Sequence, residues 1–202
     1  TPIFCPFEIN DVFKYNSVDH PEIKDLIDII QSWDRKADTN SIGAAQWYMY
    51  YDFLNKRISQ VKHDLDSPVP SDLVIISLTN TRDYFLDKFG RIDVPLKDFQ
   101  KHLRGDVELP VSGLVDMIAA TSTTSYKNGR VKAVSGDSYI MLVRYGEDKV
   151  DIETVLPYGI SAHPDSPNFT DQMHLYVNHQ RKKMSLDKEI ILKDATKIYH
   201  PK

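Results

Sequence analysis

One short segment of the sequence has the outline of a catalytic loop. Gly159-Ile160-Ser161-Ala162-His163 places a serine between a glycine and a histidine, as a nucleophile elbow would. Such an elbow needs glycine at both ends so that strand and helix can approach closely, and the fifth position here is His163. Pro164 follows at once and disfavours a helix at that point. The segment is therefore interpreted as a structural loop.

The histidines and carboxylates do not follow the spacing of a metal site. His174 and His179 are five positions apart, whereas two ligands on one helix face are four apart. Asp34, Asp38 and Asn40 lack the glycine and the terminal glutamate of a calcium-binding loop, so we interpret them as capping and turn residues. The single cysteine excludes an internal disulfide and a thiolate cluster. No metal site is predicted.

The remaining polar and aromatic residues do not form a recognised binding motif either. Gly136-Asp137-Ser138 is too short to bind phosphate, and no dinucleotide fingerprint occurs, so no cofactor is expected. Arg181-Lys182-Lys183 is followed by acidic residues and is interpreted as a solvated turn. An aromatic cluster is interpreted as core, with an apolar ligand pocket as the open alternative; it comprises Trp33, Trp47, Tyr48, Tyr50, Tyr51 and Phe53.

Composition narrows the class of protein further. The 202 residues include 25 Lys and Arg against 29 Asp and Glu, a formal charge of −4, and 41% are hydrophobic. These values are typical of a globular protein, and the acidity argues against nucleic acid as a partner. No apolar run approaches 18 residues, so no membrane span or signal peptide is expected in the chain as given. Thr1 could act as a nucleophile in principle, but a processed or truncated end is the favoured interpretation.

The first ninety residues predict a helical segment. A helix is expected from Asp19-His20-Pro21 to Trp33, and a second after Ser41 as N-cap. The second helix has an apolar stripe at steps of three and four, formed by Trp47, Tyr51, Leu54, Ile58, Val61 and Leu65. A third is predicted over Ser71–Phe89, with Gly90 as its left-handed cap and a buried face of Ile75, Leu78, Phe85 and Phe89.

Residues 91–202 predict a strand-rich segment. A short helix or turn is expected over Pro95–Leu103. Strands are then expected over Leu114–Thr121, Arg130–Val134, Ser138–Tyr145, Val150–Leu156 and Glu189–Leu192, and a short helix over Asn168–Asn178. Asn128-Gly129 predicts a type I′ hairpin turn, and the apolar run Tyr139–Val143 predicts a strand covered on both faces. The predicted fold class is α+β, with helices first and antiparallel strands after them.

The stretch from Pro157 to Gln172 resembles the C-terminal signature of the penicillin acylase family. That family has a Gly-Gln-Ser-Gly loop leading into Ser-Pro-His, an aromatic residue and Asp-Gln; here Ile160, Ala162 and Asn168 depart from it. Further segments match in the same order: Trp33-Asp34 with Ser41, although Arg35 replaces a glycine; Gly105-Asp106; Leu109-Pro110-Val111 with Gly113; and Gly136-Asp137-Ser138. The chain is most similar to the acyl-homoserine-lactone and aculeacin acylases.

The resemblance implies the last part of the β chain of an N-terminal nucleophile hydrolase with an αββα architecture. It implies hydrolysis of linear amides by a serine outside this chain, so no catalytic residue is expected here. The partners implied are the remaining α and β chain segments of the same precursor and a small amide substrate, in the periplasm or outside the cell. A noncatalytic scaffold or binding domain derived from that fold is the alternative, and a small hydrolase that uses Thr1 is a weaker one.

The signature loop is expected to be architectural. Gly159 would permit a close approach, Pro164 and Pro167 would fix backbone angles, and Ser161 and Gln172 belong to the same motif. Ser166 and Asp171 are expected to bond backbone amides at the start of the following helix. The substrate-binding residues stay undetermined at this level.

Overall fold

The computed structural model describes residues 12, 19–62, 68–115, 117, 119–147 and 149–195. The chain divides into two compact units, with the division after Gly136. The change from helix to strand near Gly90 therefore falls inside the first unit. Helices and mixed sheets together confirm the α+β class.

Three helices precede the sheet in the first unit. A 3-10 turn, Pro21–Ile23, leads into α1 (Lys24–Ser32), which is followed by α2 (Ala44–Val61) and α3 (Ser71–Phe89). Gly90 ends α3 at φ 69°, so the predicted bounds and left-handed cap are confirmed. The aromatic cluster lies in a core that also includes Leu26, Ile30, Leu54, Leu78, Phe85 and Phe99. On the predicted stripe, however, Val61 is exposed; Leu65 lies outside the described residues.

The N-cap prediction for α2 is wrong. The cap residue is Gly43 at φ 104°, and the side chain of Gln46 accepts its backbone N–H at 2.8 Å. Gln46 is fully buried and also donates to the carbonyls of Ile92 and Val94. Ser41 instead accepts a hydrogen bond from the indole of Trp33 at 2.9 Å. A glutamine at the third helical position was the available signal for this start.

A four-stranded mixed sheet completes the first unit. A single turn, α4 (Leu96–Phe99), precedes β1 (Gln100–Arg104), β2 (Val107–Pro110), β3 (Thr121–Ser125) and β4 (Val131–Gly136), in the order β2-β1-β4-β3. The helix or turn predicted over Pro95–Leu103 is thus right for Leu96–Phe99 and wrong for the residues from Gln100 onward, which are strand. Among the described residues of the strand predicted over Leu114–Thr121, Leu114 and Ala120 form an isolated bridge and Thr121 begins β3. Asn128 and Gly129 both have positive φ between β3 and β4, which confirms the hairpin turn.

The second unit is a three-stranded antiparallel sheet with two short helices. It contains β5 (Ile140–Tyr145), β6 (Val150–Val155), α5 (Met173–Val177), β7 (Lys182–Met184) and α6 (Lys188–Asp194), with strand order β5-β6-β7. The predicted last strand over Glu189–Leu192 is a helix, because Asp187 accepts the N–H groups of Glu189 and Ile190 as an N-cap. The turn predicted at Arg181-Lys182-Lys183 is wrong for its last two residues, because Lys182 and Lys183 belong to β7.

Strand β5 is not covered as its composition predicts. The apolar run Tyr139–Val143 predicts a strand covered on both faces, but Met141 and Leu142 lie on opposite faces of β5 and are 50% and 49% exposed. That prediction is therefore wrong for the chain as described.

Candidate functional site

The signature segment forms a closed loop between β6 and α5. Backbone hydrogen bonds join its two ends: the N–H of Gln172 donates to the carbonyl of Tyr158 at 2.9 Å, and that of Ser161 donates to Asn168 at 3.1 Å. The loop therefore returns upon itself and is held by its own main chain, as compact surface loops are.

Gly159 permits the close approach that closes this loop. A Cβ atom at this position would lie 2.2 Å from the carbonyl oxygen of Asn168 and 2.5 Å from Oδ1 of Asp171. Both distances are far below normal contact, and the first involves backbone that cannot rotate away. The structure therefore has the close approach that was predicted at Gly159, here between its backbone and the chain at Asn168 and Asp171.

The middle of the loop is a series of tight turns around Ser161 and Ser166. Ser161 Oγ accepts the N–H of His163 at 3.1 Å, and Ser166 Oγ accepts that of Asn168 at 3.2 Å. The N–H of Ser166 donates to His163 and that of Phe169 to Ser166. Pro164 and Pro167 alternate with these bonds, because proline fixes φ and needs no acceptor for an amide hydrogen. The serine hydroxyls thus accept local main-chain hydrogen bonds.

Gln172 ties the loop to the preceding strand. Its side chain is 2% exposed, and Oε1 accepts the N–H of Leu156 at 3.0 Å. Its Nε2 is buried without a hydrogen-bond partner, which is an uncommon state for an amide donor. Gln172 is also the N-cap of α5, and no side chain caps this helix. The cap expected from Asp171 is therefore wrong: that residue is exposed and lies beside Gly159.

Two of the other segments that resemble the family, those at Trp33 and at Gly113, are joined in the first unit. The indole of Trp33 donates to the carbonyl of Lys36 at 2.8 Å as well as to Ser41, and Gly43 lies against its side chain. The N–H of Gly113 donates to the carbonyl of Ala37 at 2.8 Å.

Gln100 strengthens that junction. It is fully buried, and its Nε2 donates to the carbonyls of Val111 and Gly113. Two segments that are more than sixty positions apart in the sequence therefore form one hydrogen-bonded junction.

The carboxylates between α1 and α2 act as turn residues, as predicted. Asp34 accepts the N–H of Lys36 at 3.0 Å, and Asp38 accepts that of Asn40 at 2.9 Å. The hydrogen bond from Lys36 lowers the pKa of Asp34. Over the ranges that the structure describes, no three His, Cys, Asp or Glu side chains are grouped as metal ligands would be.

The aromatic cluster packs as core. The rings of Trp47 and Tyr50 are 5.4 Å apart, and those of Tyr48 and Phe99 are 5.8 Å apart. Burial raises the pKa of Tyr48, whose hydroxyl accepts a hydrogen bond from Thr123 at 2.7 Å. This packing confirms the core interpretation of these residues.

Comparisons with known proteins place the chain in a family. The penicillin amidase family model matches residues 7–193. Among solved structures, a thermostable penicillin G acylase from Alcaligenes faecalis is similar, with a TM-score of 0.45 and 12% identity. That match covers 96% of this chain and 45% of the acylase chain, so this chain spans less than half of its length. No curated protein matches. Because the family model covers most of its residues, the chain belongs to the penicillin amidase family.

Proposed function

We propose that this chain is the C-terminal portion of an amidohydrolase that cleaves linear amides through an acyl-enzyme. The substrates proposed are acyl-homoserine lactones, acylated peptides or the side chains of β-lactams. Membership of the penicillin amidase family supports the reaction class. In this proposal the chain supplies scaffold and the reacting groups lie outside it.

The proposed reaction uses a serine at the N-terminus of a processed chain. Its hydroxyl attacks the amide carbonyl while its own α-amine accepts the proton, and the C–N bond then breaks as the amine leaves with a proton. Water attacks the resulting ester, which releases the carboxylic acid and restores the serine. Side-chain and backbone N–H groups stabilise the oxyanion in both halves of the reaction.

The geometry of the signature loop is the observation that carries this assignment of roles. Ser161 and Ser166 accept main-chain hydrogen bonds from positions two residues later, and Oε1 of Gln172 accepts one from Leu156. These contacts hold the loop in shape, which is the role of a scaffold. We therefore propose Gly159, Ser161, Pro164, Ser166, Pro167, Asp171 and Gln172 as structural signature residues.

Acyl-enzyme trapping tests the proposal directly. The full-length product of the gene and the 202-residue chain would each be incubated with a panel of N-acyl amides, quenched in acid and digested for mass spectrometry. We expect turnover only by the full-length product, and an acyl adduct only on a serine-led peptide outside this chain. The Ser161→Ala variant of the full-length product serves as a matched control and should keep its turnover. An adduct on Thr1 or Ser161, or turnover by the isolated chain, would overturn the assignment.

Location and partners follow from the same proposal. We propose a periplasmic or secreted enzyme whose other α and β chain segments come from the same precursor. Within the described residues, no helix combines the length and apolar character needed to cross a membrane. Fractionation of cells that produce the full-length protein would test the location. A reading frame that starts just before Thr1 would instead favour a noncatalytic scaffold or binding domain.

A further inference from the structure

The turn between β3 and β4 contains a reactive pair of residues that the proposed function does not use. Asn128 is exposed, and no other asparagine of the sequence is followed by glycine. The side-chain carbonyl of an asparagine can be attacked by the backbone nitrogen of the next residue, which closes a five-membered ring. Glycine leaves this nitrogen open to the attack because it has no Cβ. The pair is therefore chemically suited to deamidation.

Deamidation of this pair needs only water as a co-reactant. The amide nitrogen of Gly129 loses its proton and bonds to Cγ of Asn128, the Cγ–Nδ2 bond breaks, and ammonia leaves with that proton. Water then opens the cyclic imide at one of its two carbonyl groups. Opening at Cγ gives aspartate, whereas opening at the backbone carbonyl gives isoaspartate, in which the chain runs through Cβ and Cγ of residue 128. Neither step oxidises or reduces the protein.

The folded turn keeps the two reacting atoms apart. Asn128 has φ 57° and ψ 38°, and Gly129 has φ 73°, as in a type I′ turn. In an L-residue with this ψ, the amide nitrogen of the next residue lies nearly anti to Cβ about the Cα–C bond. Ring closure needs that nitrogen close to eclipsed with Cβ, so that Cγ can reach it. The peptide between the two residues must therefore turn over before the ring can form, which requires the turn to open locally.

Helix α3 holds Gly129 in place by two contacts. The hydroxyl of Tyr84 donates a hydrogen bond to the carbonyl of Gly129 at 2.7 Å. One turn further along α3, Lys88 packs on this glycine so closely that an added Cβ would lie 2.5 Å from Cβ of Lys88. The turn is also closed by its own main chain, since the N–H of Arg130 donates to the carbonyl of Lys127 at 3.2 Å. These contacts oppose the rotation that deamidation requires.

We propose that Asn128 is a site of spontaneous deamidation and that the hydrogen bond from Tyr84 protects it by holding the turn in an unreactive conformation. The modification converts a neutral amide into a carboxylate, and its isoaspartyl form adds a backbone methylene between β3 and β4. A turn with such an insertion does not keep both the strand register and the hydrogen bond to Tyr84. All of these residues lie in the first unit, so the proposal is independent of the proposed reaction.

Mass spectrometry of the aged protein is the test. The full-length product of the gene would be incubated at mildly alkaline pH, folded or denatured in urea, and then digested with chymotrypsin, which keeps Asn128 and Gly129 in one peptide. We expect conversion at Asn128 before any conversion at Asn168, which is followed by a phenylalanine. Conversion of Asn128 should be at least about tenfold slower in the folded protein than in urea, because only the open turn reacts.

Two tyrosine variants form a matched pair. Tyr84→Phe removes the hydroxyl that donates to Gly129 and keeps the ring that packs against the core. Tyr48→Phe also removes a hydroxyl from a hydrogen bond, but its partner is Thr123 on β3 and not the turn. In the folded protein, conversion of Asn128 should be about fivefold faster in Tyr84→Phe, the factor that corresponds to one ordinary hydrogen bond, and unchanged in Tyr48→Phe. In urea, both variants should react as fast as the unchanged protein.

Three results would overturn the proposal. If Asn128 stayed unmodified in urea, or reacted after Asn168, it would not be the deamidation site. Equal rates in the folded and the denatured protein would show that the turn gives no protection. Equal rates in folded Tyr84→Phe and Tyr48→Phe would show that the hydrogen bond from Tyr84 is not the protecting contact. The first two comparisons use the unchanged protein, so they hold even if a variant fails to fold.

Discussion

Gly159→Ala tests whether the close approach inside the signature loop holds that loop together. An added Cβ would lie 2.2 Å from the carbonyl oxygen of Asn168, where ordinary contact begins at about 3.4 Å, so this carbonyl must retreat by about 1.2 Å. The same carbonyl accepts the N–H of Ser161 at 3.1 Å, and a shift of that size breaks the bond. Overpacking costs about 1–3 kcal/mol and the lost bond about 1 kcal/mol. We expect a total loss of about 2–4 kcal/mol in the stability of the loop.

Gly146→Ala is the matched control for this change. Its nearest contact would be the carbonyl of Lys149 at 3.3 Å, and neither glycine has a positive φ. Both substitutions restrict the unfolded chain equally, so the difference between them isolates the steric effect. The assay is native-state hydrogen exchange at the amides of Ser161 and Gln172, with overall unfolding in urea as a second measure. If the two variants agreed within about 0.5 kcal/mol, the close approach would not stabilise the loop.

Three further changes test the packing of the first unit. Gln46→Leu removes the hydrogen bonds that Gln46 makes with the N–H of Gly43 and the carbonyls of Ile92 and Val94, and it should lower the free energy of unfolding by about 2–4 kcal/mol in urea titrations, whereas Gln60→Leu at an exposed position of the same helix should not. Gly43→Ala meets both a positive φ and Trp33 Cβ at 2.4 Å, so we expect a lower Tm than for Gly90→Ala, which has a positive φ but open space. Arg82 donates two hydrogen bonds to Asp25 at 2.8 and 2.9 Å and lowers the pKa of that carboxyl. Because the pKa of Asp25 is lower in the folded chain than in the unfolded chain, the ion pair stabilises the fold at every pH above the unfolded pKa of about 3.9. This stabilisation is lost as the pH falls through the pKa of Asp25 in the folded chain. Both side chains are partly exposed, so a double-mutant cycle of Asp25→Asn and Arg82→Met should give about 0.5–1 kcal/mol at pH 7, and this coupling should fall towards zero as the pH is lowered through the folded pKa of Asp25. A coupling that does not change with pH would contradict the assignment.

Elements with strong local signals could be predicted from the sequence. Helix α3 lies between Pro70 and Gly90. Pro70 has no N–H to donate within a helix and so marks its start, whereas Gly90 readily adopts the left-handed conformation that ends it. The Asn128-Gly129 turn is predictable for a similar reason, because few other pairs accept two positive φ angles. The signature loop was recognisable from its residues, and the close approach at Gly159 follows from the smallest side chain at that position.

Long-range contacts determine the elements that local sequence patterns did not predict. Strand β1 was predicted as helix or turn, yet Gln100–Arg104 pairs with both β2 and β4, and the amide of Gln100 bonds two distant carbonyls. The start of α2 likewise depends on Gln46, which bonds the chain 46 and 48 positions later as well as Gly43. Such partners have no signature in a local window of sequence, because the hydrogen bonds form only once the chain has folded.

The sequence alone determined the family resemblance, the α+β class and the elements whose ends carry proline, glycine or an Asn-Gly pair, since these depend on backbone angles that each residue permits by itself. Only the tertiary structure decided which polar groups are buried, how the segments at Trp33 and Gly113 meet, and which residues of β5 share a face of the sheet. Met141 and Leu142 are alike in sequence and in exposure, but the pairing register puts them on opposite faces. Register and burial are properties of strand partners, and partners are chosen by the folded chain as a whole.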